Sequence, residues 1–94
     1  MNKGQLVDIV AKEHNLTKKE TDAILSATLD IIKDTVAGGD RVTLVGFGSF
    51  ELRQRQERMG RNPKTGEKLV IPATQVPAFS AGKSFKSKVA EKVH

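Results

Sequence analysis

The chain has 94 residues, with 16 Lys plus Arg against 11 Asp plus Glu, which gives a formal net charge of +5. This length predicts a single domain over residues 1–94. With 37% hydrophobic residues, the composition argues against disorder of the whole chain. The absence of Cys excludes disulfides, thiolate metal sites and thiol nucleophiles. Because so short a chain has little room for a core, we expect a second copy to complete it.

The positive charge belongs to one half of the chain. Residues 1–40 carry a net charge of −2, whereas residues 41–94 carry +7. The densest segment, 53–68, holds six basic residues and two acidic ones. All five arginines lie at or after Arg41, and their planar guanidinium groups suit phosphate better than Lys does. A charged surface that only faces solvent usually mixes positive and negative side chains more evenly. The excess of positive charge in this segment therefore favours binding to an anionic partner.

Two helices are predicted at the start of the chain. Asn2 and Gln5 have the spacing of a capping box at the first helix, and Thr17 and Glu20 have it at the second. We predict the second helix over residues 18–37, about 30 Å at ~1.5 Å per residue. Its apolar residues cover a face wider than one stripe. That face predicts burial against another chain.

From Arg41 onward the apolar pattern alternates and predicts a β-hairpin that turns at residues 46–48. The second strand should continue past Leu52 through residues 53–58, which offer no apolar residue to either face. Its return strand, about Leu69 to Phe79, contains two prolines, which restrict it to an edge or a two-stranded ribbon.

The simplest construction is a two-stranded arm, about residues 53–75, with a turn between its strands. Asn62, Pro63 and Gly66 supply the turn chemistry. An isolated ribbon is marginally stable in water. We therefore expect the arm to be mobile when free and ordered when bound.

The chain should end in a short helix with Ser80 as its N-cap and with Phe85 and Val89 facing inward. The four phenylalanines are interpreted as core residues, because large rings without Trp or Tyr more often pack than stack on bases. Gly82 and Lys83 resemble the end of a phosphate-binding loop, but the Gly that such a loop needs five positions earlier is Pro77.

No enzyme is predicted. His14 and His94 are the only histidines, and neither has a metal-ligand spacing or a nucleophile nearby. We expect no cofactor, no metal and no small-molecule substrate. No apolar run approaches a membrane span, and the start of the chain has no signal-peptide core, so we expect an intracellular protein.

An Arg-lined ribbon is slim enough to follow a DNA minor groove. Pro63 would stand at its tip, where it either wedges between base pairs or only shapes the turn. The residue pattern leaves both roles open.

The chain resembles the HU/IHF family of bacterial histone-like DNA-bending proteins along essentially its whole length. The residues that carry the resemblance are Gly46, Phe47, Phe50, Arg55, Arg58, Gly60 and the run Asn62-Pro63-Lys64-Thr65. Val76-Pro77-Ala78-Phe79, followed by Gly82-Lys83, is similar to the HU branch. Gln75 departs from the pattern, since many relatives have a cation there, and puts a contact on the return strand in doubt.

This resemblance implies an α+β fold in an intertwined homodimer, with a helical base from residues 1–39 and a β saddle, two arms and a short C-terminal helix from residues 40–94. It implies binding of double-stranded DNA in the minor groove, with Pro63 of each arm kinking the duplex. The implied binding residues are Lys3, Arg53, Arg55, Arg58, Arg61, Asn62, Pro63, Lys64, Thr65, Gln75, Lys83 and Lys86.

The favoured hypothesis is a cytoplasmic nucleoid protein with little sequence preference, which favours nicked or distorted DNA because a broken stack is easier to kink. One alternative is a sequence-specific bending factor of the IHF type. Another is a membrane-surface protein, although the chain lacks the amphipathic basic helix with aromatic anchors that such binding uses.

Overall fold

The structure is a computed structural model that describes residues 1–91; His94 lies outside the described residues. It is an α+β fold, as predicted. In chain order, the elements are α1 (Lys3–Glu13), α2 (Lys18–Ala37), β1 (Val42–Leu44), β2 (Gly48–Arg55), β3 (Arg58–Arg61), β4 (Lys68–Ile71), β5 (Thr74–Ala81) and α3 (Lys83–Ala90).

Both predicted capping boxes are confirmed. Asn2 Oδ1 accepts from the Gln5 N–H and Gln5 Oε1 accepts from the Asn2 N–H, both at 2.9 Å. At α2, Thr17 Oγ1 accepts from the Glu20 N–H at 3.0 Å, and Glu20 Oε1 accepts from the Thr17 N–H at 3.1 Å. The bond from the Thr17 backbone, together with the Thr17 side chain, lowers the pKa of the Glu20 carboxyl. These caps explain why α1 and α2 begin where they do.

The chain divides into two compact units, the first Met1–Asp34 and the second beginning at Thr35. In the first unit the buried side chains are Val7, Ala11 and Thr21. Large apolar side chains of α2 stay in solvent: Ile24 is 60% exposed and Ile31 is 65% exposed. These side chains belong to the wide apolar face that the sequence predicts.

In the second unit, β1, β2 and β5 form an antiparallel three-stranded sheet in the order β1-β2-β5. The hairpin turn between β1 and β2 is closed by a bond from the Phe47 N–H to the Leu44 carbonyl at 2.9 Å, and Gly46 has φ +84°. Pro77 lies in β5, which is an edge strand, the position in which a sheet tolerates proline.

The predicted continuous ribbon is wrong in one respect, because the arm is divided between two sheets. The β2–β5 pairing ends at Arg55 and Thr74, and a separate antiparallel pair, β3–β4, begins at Arg58 and Ile71. Residues 56–57 and 72–73 lie between them, outside either ladder. Pro72 supplies a physical reason, since it cannot donate to a ladder bond.

The four phenylalanines form one cluster, as the core interpretation predicts. The Phe79 ring lies 4.9 Å from that of Phe50, 5.1 Å from that of Phe47 and 6.2 Å from that of Phe85, measured between centroids. The rings lie on two strands, the hairpin turn and α3, and so join the sheet to the helix. Phe47 and Phe79 are still 43% and 40% exposed in the single chain.

Two expectations about the end of the chain are wrong. Ser80 is not the N-cap of α3, because β5 continues through it to Ala81, and Gly82 takes the N-cap position. Val89 does not face inward in the single chain but is 52% exposed. An eight-residue helix has room for few inward positions, and Phe85 provides the ring contacts.

Candidate nucleic-acid interface

The ribbon formed by β3 and β4 carries two arginines and one lysine in eight residues and no acidic residue. Four residue pairs hold it: Arg58 opposite Ile71, Met59 opposite Val70, Gly60 opposite Leu69 and Arg61 opposite Lys68. Because side chains alternate between the faces of a strand, Arg58 and Arg61 project from opposite faces. The ribbon therefore offers cations on both sides.

One face of the ribbon is closely packed at Gly60. A Cβ added there would lie 2.9 Å from Ile71 Cδ1 and 3.6 Å from Leu69 Cδ1. Gly60 therefore lets two apolar side chains of β4 fold over the strand. On the other face, Met59 and Val70 stay 64% and 53% exposed. The ribbon carries apolar surface that packing does not use.

The turn at the tip is held by its own hydrogen bonds. The Asn62 carbonyl accepts from the Gly66 N–H at 2.7 Å, and the Asn62 N–H donates to the Glu67 carbonyl at 2.9 Å. Asn62 Oδ1 also accepts from the Lys64 N–H at 2.9 Å. Gly66 has φ +72°, a conformation that other residues rarely adopt. This frame leaves Pro63 exposed at the outermost turn of the ribbon.

The arginines of the arm differ in what they contact. Arg55, Arg58 and Arg61 are exposed, and within residues 1–91 their side chains form no hydrogen bond or ion pair. Arg53, in contrast, donates to Ser80 Oγ at 3.1 Å and lies 3.6 Å from a Glu51 carboxylate oxygen. Three of the four predicted groove-lining arginines are thus available to an external anion.

The sequence does not predict Arg41, Glu51 or Ser80 as site residues. Glu51 also pairs with Arg41 through its second oxygen, so one carboxylate joins two guanidinium groups. Strand alternation could have suggested part of this, because it places Glu51 and Arg53 on the face of β2 opposite Phe50. The contact with Arg41 depends on strand register, which the sequence pattern does not specify.

The remaining predicted cations lie in different units. Lys3, in the first unit, donates to Ser26 Oγ at 2.6 Å and lies 3.5 Å from Asp22 Oδ1. Lys83 and Lys86 are exposed on α3 in the second unit. Lys3 is therefore held within its own helix pair.

The uncharged predicted site residues are also placed. Gln75 pairs with Gln54 across the β2–β5 ladder and is exposed. Thr65 lies in the tip turn, where its hydroxyl accepts from the Glu67 N–H at 3.3 Å. Asn62, Pro63, Lys64 and Thr65 are thus brought together in one turn, whereas Gln75 lies beyond the interruption in the arm.

Other kinds of site find no support in the described residues. No group of three or more His, Asp or Glu side chains among residues 1–91 is arranged to hold a metal ion. In the same residues, no helix has both the length and the apolar character needed to cross a membrane.

The profile of the family described as Bacterial DNA-binding protein matches residues 1–90. The chain belongs to the bacterial DNA-binding protein family. It is 64% identical over 90 residues to DNA-binding protein HU of Nostoc sp., and 65% identical over 96 residues to that of Synechocystis sp.. Each alignment covers 96% of this chain and 96% of the relative.

The fold of this chain is similar to that of a solved structure, Anabaena HU in a cocrystal with DNA. The TM-score is 0.91 and the sequence identity is 64%. The match covers 96% of this chain and 98% of the Anabaena chain. These relatives confirm the HU resemblance and the α+β architecture. Membership of a DNA-binding protein family also agrees with the expectation that the chain is not an enzyme.

Proposed function

We propose that the chain is a nucleoid architectural protein that binds double-stranded DNA as a homodimer, with little sequence preference, and bends it. The observation that carries the proposal is the β3–β4 ribbon, whose arginines are exposed and unpaired within the described residues. The relative solved with DNA, at 64% identity, supports the same ligand class.

In the proposed complex, one ribbon of each protomer follows the minor groove. Arg53, Arg55, Arg58 and Arg61 contact phosphates or the groove floor, together with Asn62, Lys64, Thr65 and Gln75. Pro63 enters between two base pairs, because it is exposed, rigid and has no backbone N–H to desolvate. Lys3, Lys83 and Lys86 hold phosphates on the flanks.

The homodimer is supported by what the single chain leaves uncovered. Side chains of α1 and α2, among them Leu6, Val10 and Leu25, line an apolar groove of about 230 Å³ within the first unit. Burial of such apolar surface against a second chain favours association. We assign residues 1–39 to dimerisation and residues 40–94 to DNA binding, within one domain. Because the proposed partner is double-stranded DNA, we also propose that the protein acts in the bacterial nucleoid.

A preference for nicked or distorted DNA follows from the wedge. Unstacking a base step in intact duplex costs a few kcal/mol, and a pre-broken stack removes part of that cost. A gel-shift comparison of intact duplex, nicked duplex and a four-way junction tests this. We expect tighter binding to the two distorted forms, whereas equal affinity for all three would reject the wedge mechanism.

Competition between random duplex and a selected site separates this function from sequence-specific bending. A specificity ratio above ~1,000 would favour the IHF-type alternative. If each protomer neutralises about 4 phosphates, log affinity should fall with log salt with a slope near −7 for the dimer. A slope shallower than about −2 would contradict wrapping. Binding to anionic vesicles at the same salt, tighter than binding to duplex, would favour a membrane surface as the partner.

A further inference from the structure

The face of the three-stranded sheet opposite Phe50 carries a cluster of charged side chains, two of which, Arg41 and Glu51, have no role in the proposed complex. It consists of Arg41, Glu51, Arg53 and Ser80. One oxygen of the Glu51 carboxylate pairs with Arg41, and the other lies 3.6 Å from Arg53 Nη2. The same Arg53 nitrogen donates to Ser80 Oγ at 3.1 Å. Two cations thus converge on a single anion.

Burial differs between the two sides of this cluster. The Arg41 and Arg53 side chains are 62% and 59% exposed, whereas the Glu51 side chain is only 22% exposed. Exposed guanidinium groups can turn toward an external anion at little cost, since surface ion pairs contribute little to stability. The carboxylate is held in the sheet and cannot follow them as easily.

A DNA phosphodiester is a close chemical match for the anion that the cluster already holds. Like a carboxylate, it carries one negative charge and presents two oxygens, and Arg binds both groups with the same fork of donors. The Glu51 carboxylate therefore marks a position between two guanidinium groups where a backbone phosphate satisfies the same donors.

We propose that Glu51 is an intramolecular competitor of DNA, and that a backbone phosphate replaces its carboxylate on Arg41 and Arg53 when duplex binds. The inference rests on the proposed function and adds Arg41 to the phosphate-binding residues. When the arginines turn to DNA, the half-buried carboxylate loses both partners and takes up a solvent cation. Glu51 thus lowers affinity and makes binding less sensitive to salt.

The test compares two substitutions that remove the same charge. Glu51→Gln keeps a hydrogen-bond acceptor beside Arg41 but removes the competing charge. Glu57→Gln is the matched control, because Glu57 is exposed on the arm and forms no ion pair within residues 1–91. Duplex affinity of each variant and of the unmodified chain is measured by fluorescence anisotropy at several salt concentrations.

We expect Glu51→Gln to bind duplex about fivefold more tightly at 0.1 M salt, because DNA no longer has to break ion pairs of the modest strength that exposed pairs have. Its salt slope should be steeper by about 1 per protomer. Glu57→Gln should show the smaller effect of added net charge alone. Equal effects of the two substitutions, or weaker binding by Glu51→Gln, would overturn the proposal.

Arg41→Ala in both backgrounds isolates the coupling between the two residues. In the unmodified chain it should change affinity less than about twofold, because the phosphate contact that Arg41 gains in the complex replaces the Glu51 pair that it loses. In the Glu51→Gln background, where no ion pair is lost, it should weaken binding about fivefold. Equal losses would contradict competition.

The side-chain N–H resonances of Arg41 and Arg53 in the unmodified chain provide a test that needs no variant. They should shift when duplex is added, and resonances that do not move would overturn the exchange. If the unmodified chain fails to bind duplex, the proposed function itself is rejected, which is distinguishable from failure of the Glu51 inference alone.

Discussion

The three-stranded sheet and the β3–β4 ribbon use the same antiparallel pairing for opposite purposes. The sheet has an aromatic layer behind it, where Phe47, Phe50, Phe79 and Phe85 pack against one another. The ribbon is held by its own cross-strand contacts, such as those of Leu69 and Ile71 over Gly60. Pairing alone therefore does not decide whether a strand belongs to a core, since the layer behind it does. Substitutions in the aromatic layer of the sheet should change stability most, whereas substitutions of the ribbon cations should change DNA binding most.

The largest effect is expected from removing two ribbon cations. Arg58→Ala combined with Arg61→Ala removes four arginines from the proposed dimer, so the salt slope should become shallower by about 3.6 and affinity should fall at least about a hundredfold. Anisotropy titrations measure both. The control, Lys12→Ala with Lys19→Ala, removes the same charge from the helices and should have a much smaller effect. Similar losses in the two variants would mean that net charge, not the ribbon, drives binding.

The next effect concerns the sheet. Phe79→Ala removes a ring that contacts the other three and should lower the free energy of unfolding by about 2 kcal/mol, less than for a fully buried ring because Phe79 is 40% exposed. Val70→Ala on the ribbon should lower it by less than about 0.5 kcal/mol. Urea unfolding at one fixed protein concentration checks both values. A ribbon substitution as destabilising as the sheet substitution would remove the distinction between the two regions.

A smaller effect on affinity, but a large one on DNA shape, is expected at the tip. Pro63→Ala should reduce bending, measured by fluorescence energy transfer between duplex ends, while binding to phosphates largely survives. Pro77→Ala, on the edge strand of the sheet, serves as the control and should leave bending unchanged. Unaltered bending by Pro63→Ala would limit Pro63 to shaping the turn.

The smallest effect lies outside both regions, at the start of α2. The lowered pKa of Glu20 means that its contribution to stability is present above about pH 4.5, its ordinary pKa, and is lost as pH falls through the folded value. Glu20→Gln should therefore reduce the loss of stability between pH 7 and pH 3, seen in urea midpoints, and leave duplex affinity at pH 7 unchanged. An unchanged loss on acidification would show that Glu20 makes no such contribution.

Features that depend on neighbouring residues were predictable from the sequence, and features that depend on register were not. The bounds of α2 follow from the Thr17–Glu20 cap and the glycines after Ala37, all of which act locally. Ser80 was misassigned as a cap because its pairing with Ser49 is a long-range contact. The prolines of the return strand predict an edge or a two-stranded ribbon, but not the interruption at residues 56–57 and 72–73, which depends on how the two strands pair.

The same division holds for the candidate site. The arginines of the arm and Pro63 stand out by composition and turn chemistry alone. The joining of Arg41 and Arg53 by Glu51 requires side chains from two strands to meet across the sheet. A local reading of charge assigns Glu51 only as one acidic residue among basic ones.

Amide hydrogen exchange of the free and duplex-bound protein tests the central claim most directly, because it compares the sheet and the ribbon in one experiment. In the free protein, residues 58–61 and 68–71 should exchange much faster than residues 48–55, and duplex should protect the ribbon amides selectively. A ribbon as protected as α2 in the free protein, or one whose exchange is unchanged by duplex, would contradict the account.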